Sequence, residues 1–123
     1  MISKLDFVGV PSQDPERSVR FYGETLGLRR DEHGGPEFWV GETCLGIWEP
    51  ARFGMEFEPQ KNAHLALHVD DVAAAREELE SKGVTFGGDI LDTGVCHMAI
   101  FADPDGNALM LHHRYAPPGV GPQ

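Results

Sequence analysis

The chain is short of positive charge, of cysteine and of long apolar runs. Ten Lys and Arg face twenty Asp and Glu in 123 residues, a formal net charge of −10. Nucleic-acid affinity comes largely from Lys and Arg displacing counterions, so this balance argues against DNA, RNA and anionic lipid headgroups as partners. No apolar stretch approaches the ~20 residues of a membrane span. Met1 to Phe7 carry Lys4 and Asp6 in place of the apolar run of a secretory signal. Cytoplasmic residence is the expectation. Cys44 and Cys96 are the two cysteines, and a pair this far apart specifies neither a disulfide framework nor a zinc knuckle. Reduced, packed thiols follow. Gly-rich phosphate loops, zinc-protease helix motifs and nucleophile elbows are missing too, which removes the usual carriers of nucleotide and acyl-transfer chemistry.

What is present is a pattern that occurs twice. Residues 5–10, LDFVGV, form an apolar run ended by Pro11 and the Ser12-Gln13-Asp14 cluster, which predicts a buried strand. Asp14 as N-cap, Pro15 at the first helical position and Glu16 in the first turn then start a helix that Gly27 stops. Val19, Tyr22 and Leu26 give it one apolar stripe. Residues 28–33 are extended, and 37–48 make two strands joined at Gly41-Glu42. After a linker at 51–62, the strand 64–69, HLALHV, leads to a helix capped by Asp71, striped by Val72, Ala75 and Leu79, and ended by Gly83. Strands at 84–86, 96–102 and 108–113 complete the second half, with an Asp103-Pro104-Asp105-Gly106 turn before the last. A shift of 57 residues superposes Phe7 on His64 and Asp14 on Asp71. That is an internal duplication. The expected architecture is α+β: two tandem βαβββ modules, 5–50 and 63–115, in a single domain over 1–115, followed by a Pro/Gly-rich flexible tail at 116–123.

The segments LDFVGVPSQDPERSVRFYGETLGL, HLALHVDDVAAAREELESKGVTF and DPDGNALML together resemble the vicinal oxygen chelate superfamily, the group of glyoxalases, bleomycin-resistance proteins and ring-cleaving dioxygenases. The resemblance implies paired modules whose curved mixed sheet closes around a cavity, a homodimer, and a divalent metal held from four strand positions. Those positions fall on Phe7, Gly46, His64 and Met110. A hard divalent ion takes oxygen and imidazole donors, which Phe7 and Gly46 lack, and the Met110 thioether suits soft metals. One inherited ligand, His64, remains, so the expectation is no cofactor. A divalent metal stays open only through a displaced site pairing His64 with His112. His64 and His68 are about 13 Å apart at strand rise, too far to share an ion.

Strand alternation puts His64, Ala66 and His68 on one face, Met110 and His112 on one face, and Cys44, Gly46 and Trp48 on another. If these faces look into the cavity, Phe7, Gly46, Trp48, His64, His68, Met110 and His112 line it. The result is an apolar pocket with imidazoles, suited to a flat aromatic molecule stacked on Trp48. Cys96 and His97 are neighbours on a strand and point to opposite faces, so they make no catalytic dyad. Asp6, Glu37, Glu42 and Glu49 lie on or near strands, and spacing singles out no pair of them as an acid and base. The expected function is a protein that sequesters or senses an aromatic or cationic organic molecule, in the manner implied by the bleomycin-resistance branch. The alternative is a metal-dependent lyase, isomerase or dioxygenase of the glyoxalase type with displaced ligands. A third is a structural subunit with a vestigial cavity.

Overall fold

The computed structural model describes residues 1–118. It forms two compact units, each a four-stranded mixed sheet covered by a helix. Among the described residues no helix is long and apolar enough to cross a membrane. Residues 116–118 of the expected tail are described; 119–123 lie outside the described residues.

The first unit holds β1 (Phe7–Pro11), α1 (Pro15–Arg20), β2 (Arg29–Arg30), β3 (Glu37–Val40) and β4 (Thr43–Trp48). Its strand order is β1-β4-β3-β2, with β1 parallel to β4 and the other pairs antiparallel. Asp14 caps α1 by accepting a hydrogen bond from the Arg17 N–H at 3.2 Å. Beyond Arg20 the chain widens into a π-helical turn, Phe21–Thr25, closed by the Leu26 N–H on the Phe21 carbonyl. Gly23 allows a close approach there: a Cβ at that position would meet the Phe38 ring at a tight 3.2 Å. This close approach buries Tyr22 and Phe38 completely, with Val10, Leu45 and Ile47 beside them. Burying side chains of this size contributes about 1.5–3 kcal/mol each. A short 3-10 turn, Pro50–Phe53, opens the linker.

The second unit repeats the plan with β5 (Leu65–His68), α2 (Val72–Ser81), β6 (Phe86–Asp92), β7 (Cys96–Ala102) and β8 (Ala108–Arg114), ordered β5-β8-β7-β6. The first and last strands are again the parallel pair. Asp71 caps α2 by accepting from the Ala74 N–H at 3.0 Å, so the two aspartates matched by the 57-residue shift do the same work. Val72 and Leu79 of α2 are buried, as are Phe86, Ala99, Phe101, Leu109 and Leu111 of the sheet. The α+β class and the two βαβββ repeats expected from the sequence are therefore present. The strand expected at 84–86 is displaced: β6 starts at Phe86 and runs to Asp92, through a bulge between Gly87 and Leu91 with Gly88 at φ +72°.

One segment crosses the sequence boundary. Asp103–Asn107, the turn between β7 and β8, belongs to the first unit. Asp103 Oδ2 accepts from the Tyr22 hydroxyl at 2.7 Å and from Asn107 Nδ2 at 2.8 Å. Asn107 Nδ2 also donates to the Pro11 carbonyl at 2.9 Å. Asp105, its side chain fully buried, accepts from the Gln13 N–H and Arg17 Nη2, both at 2.9 Å, and from Ser18 Oγ at 3.0 Å. Each buried carboxylate oxygen thus has a donor, the condition under which burying charge is tolerated.

Candidate functional site

In the first unit, alternation along β4 sends Leu45 and Ile47 toward the core and leaves Cys44, Gly46 and Trp48 on the other face. The register then fixes their neighbours. Phe7 lies opposite Cys44 and Gly9 opposite Gly46 across the parallel pair, while Trp39 lies opposite Cys44 and Glu37 opposite Gly46 across the hairpin. These residues line a cavity of about 620 Å³, with Asp6 and Phe53 contributing at its margin. Phe7, Gly46 and Trp48 are brought together here.

Two glycines shape the floor. A Cβ on Gly9 would lie 3.4 Å from Trp48 Nε1 and 3.9 Å from the Phe7 ring; one on Gly46 would lie 3.8 Å from that same ring. These are ordinary van der Waals distances, so both aromatic rings lie directly over the sheet at these glycines. Trp48 Nε1 has no hydrogen-bond partner among the described residues, so its N–H is a donor available to a ligand. Trp39 differs: its indole N–H is held by Asp31 Oδ1 at 2.9 Å. That bond, followed by those from the backbone and ring of His33, draws the Asp31 carboxyl below the usual carboxylate range. Phe53 packs beside Trp48, ring centres 6.1 Å apart.

The charges in this cavity are of one sign. Asp6 and Glu37 line it, and no Lys, Arg or His does. Glu37 Oε2 accepts from Cys44 Sγ at 3.6 Å. Burial, then that hydrogen bond and the Glu37 charge, push the Cys44 thiol up, which keeps it protonated and a poor nucleophile. Cys44 and Cys96 are both free and buried.

Hairpin pairing carried the signal for two residues that the sequence reading did not select. With a two-residue turn at Gly41-Glu42, Trp39 must face Cys44 and Glu37 must face Gly46. Gly9 had no such signal, since a parallel pairing cannot be counted from a turn.

The second unit gathers the remaining candidates on one sheet face. Ala66 pairs with Met110 and His68 with His112, and Met98 and Ile100 of β7 lie beside His112 and Met110. Met110 and His112 are half-buried, and His68 is exposed, its Nε2 3.2 Å from Asp70 Oδ1. His64 precedes β5 and is half-buried. The register sets His112 opposite His68, which places His64 four residues, or about 13 Å, further along the strand. His64 and His112 are not paired in this register, so it does not assemble the displaced two-histidine metal site that the sequence left open as an alternative. Cys96 and His97 point to opposite faces of β7: Cys96 is fully buried against Thr93 Oγ1 at 3.0 Å, while His97 sits 3.4 Å from Asp92 with its ring centre 4.8 Å from that of Tyr115.

The four positions where the resemblance puts metal ligands hold a benzyl group, a hydrogen, one imidazole and one thioether. This donor set does not fit a hard divalent ion. Among the described residues no group of three or more His, Cys, Asp or Glu is arranged to hold a metal.

Comparison with known proteins agrees with this architecture. The family model described as the glyoxalase/bleomycin resistance protein/dioxygenase superfamily matches residues 4–111. No curated protein sequence matches the chain. Among solved structures, a protein of Bacillus anthracis assigned to the glyoxalase family is 26% identical with a TM-score of 0.75, covering 93% of this chain and 97% of its own. TnmS3, an antibiotic-binding protein from Streptomyces sp. CB03234, is 27% identical with a TM-score of 0.72, covering 92% and 97%. A superfamily member from Nocardioides, at 20% identity and a TM-score of 0.77 over 100% and 90%, supports the fold alone. A duplicated βαβββ plan, a family match over nearly the whole chain and similar folds in solved relatives lead to one assignment: the chain belongs to the glyoxalase/bleomycin resistance protein/dioxygenase superfamily.

Proposed function

We propose that the chain is a small-molecule-binding member of this superfamily that has lost the standard metal site. It sequesters or senses a planar aromatic ligand, preferably a cationic one, in the cavity of the first unit. The observation that carries this reading is the lining itself: aromatic walls of Phe7, Trp39, Trp48 and Phe53, with Asp6 and Glu37 as the charged side chains. Aromatic faces attract flat rings and cations, and carboxylates at the margin favour a positive group. At about 620 Å³ the cavity is of drug-ligand size. The similarity to TnmS3, an antibiotic-binding protein, is compatible with such a role. Ligand capture in a homodimer within the reducing cytoplasm, where both thiols stay free, completes the proposal.

The imidazoles of His64, His68 and His112 and the Met110 thioether belong to the second unit's face; in this reading they offer hydrogen bonds and an adaptable apolar wall. The test uses tryptophan emission, since both tryptophans of the chain line the cavity. A planar cation such as 9-aminoacridine is expected to quench it saturably, and the uncharged anthracene-9-methanol to do so much more weakly. Trp48→Ala should weaken binding about tenfold, or ~1.4 kcal/mol. Absence of saturable binding to any planar cation would remove the proposal.

A further inference from the structure

The first unit has a second cavity, of about 600 Å³, with the opposite electrostatic character. It lies between the first turns of α1 and the end of β4, and it shares Pro36, Ile47, Trp48 and Phe53 with the cavity described above. Arg20, Arg30 and Arg52 all line it. In a chain with ten basic residues against twenty acidic ones, three of the ten gather around this one space.

Their bonding leaves donors free. Arg52 Nε donates to Glu49 Oε1 at 3.0 Å, so that pair neutralises itself. Arg30 is pinned by the hairpin it borders, Nε donating to the Gly35 carbonyl at 3.0 Å and Nη2 to the Gly34 carbonyl at 2.7 Å. A guanidinium has five N–H donors, so Arg30 keeps three uncommitted. Arg20 makes no hydrogen bond or ion pair among the described residues, and Glu16, one turn before it, is not paired with it. Against Glu16 alone, Arg20 and Arg30 leave the space with a net positive character. Its walls are apolar: Pro15, Val19, Ile47, Trp48 and Phe53.

From this we infer that the cavity is a second ligand site, for a small amphipathic carboxylate whose apolar body lies against Val19, Ile47, Trp48 and Phe53 and whose anionic group faces Arg20 and Arg30. Guanidinium groups match the geometry of a carboxylate, and a partly enclosed apolar cavity raises the worth of that pairing. The site is independent of the cation-binding reading of the neighbouring cavity. It also shares a wall with it, so occupancy on one side of Trp48 and Phe53 is felt on the other.

The experiment is a titration of the full chain with 2-naphthoate at low salt, followed by backbone amide shifts in 1H–15N spectra. Acetate and 2-naphthylmethanol separate the contributions of charge and apolar body. The expected result is saturable shifts at Val19, Arg20, Trp48 and Arg52, with both control molecules binding at least tenfold more weakly. Arg20→Ala, at an exposed position that should not disturb the fold, should raise Kd at least fivefold, and Arg20→Glu further. Arg76→Ala removes one positive charge elsewhere and should leave Kd unchanged. The inference is overturned by no shift at millimolar naphthoate, or by naphthylmethanol binding equally well. Shifts confined to Gly9, Cys44 and Gly46, in the neighbouring cavity, would overturn it too.

Discussion

Tyr22 shows how much one residue decides in this molecule. It is fully buried, and its hydroxyl has one partner, Asp103. Burial first, then the Asp103 charge and hydrogen bond, push the phenol far above its ordinary value of about 10. Above pH 10 the unfolded chain releases this proton while the folded one keeps it. The folded state then binds more protons, and stability falls as pH rises. Tyr22→Phe should cost about 1.5–3 kcal/mol at pH 7 by losing a hydrogen bond to a charged acceptor. It should also flatten the loss of stability between pH 9 and 11. Urea midpoints across that range check both. The stripe Val19, Tyr22, Leu26 identified Tyr22 as core from sequence, but its partner lies 81 residues away, and no local pattern reports a contact of that separation. The cavity residues divide the same way. Trp48 was reached from strand parity and Phe7 from the ligand position that the resemblance implies, whereas Gly9 becomes meaningful only once β1 is paired with β4.

Helices and strands were legible wherever a cap, a stripe or a tight turn marked them. Asp14, Asp71 and the Gly41-Glu42 hairpin all fall where the sequence predicts. Two elements departed from expectation, for different reasons. The first helix was expected to run regularly to Gly27, but it widens into a π-helical turn at Phe21–Thr25, which the spacing of three apolar residues does not announce. β6 lies mostly beyond the expected 84–86, because a bulge carries Gly87-Gly88-Asp89, residues of turn composition, inside a strand. At this scale the cap on α2 gives a direct check. Asp71→Ala removes the acceptor for the Ala74 N–H and should lower stability by about 1 kcal/mol. Urea denaturation measures that loss. Arg76, whose guanidinium lies 5.0 Å above the Phe86 ring, should then keep its stacking in the folded state.

For the molecule as a whole, the distinctive chemistry is the mismatch between the metal site that the resemblance implies and the side chains at the positions it assigns. The proposal of a lost metal site predicts that protein purified without chelators and dialysed against Mn, Ni or Zn retains well under one ion per chain by elemental analysis. His64→Ala should leave that figure unchanged. Retention of one ion per chain, abolished by His64→Ala, would instead favour metal-dependent chemistry. The net charge of −10 acts at this scale as well. It raises the encounter rate with cationic ligands, an effect that added salt should diminish.

The Asp103–Asn107 segment carries a consequence for how the chain could be cut or rewired. The repeat boundary near residue 60 divides the two units but does not complete the first, because the amino-terminal unit borrows its buried carboxylates from Asp103–Asn107. A fragment stopping at Gln60 would strand the Tyr22, Ser18 and Arg17 donors with nothing to receive them. Circular permutants should therefore tolerate new termini at the linker, where the covalent path opens but the turn stays tethered, far better than a nick on either side of Asp103.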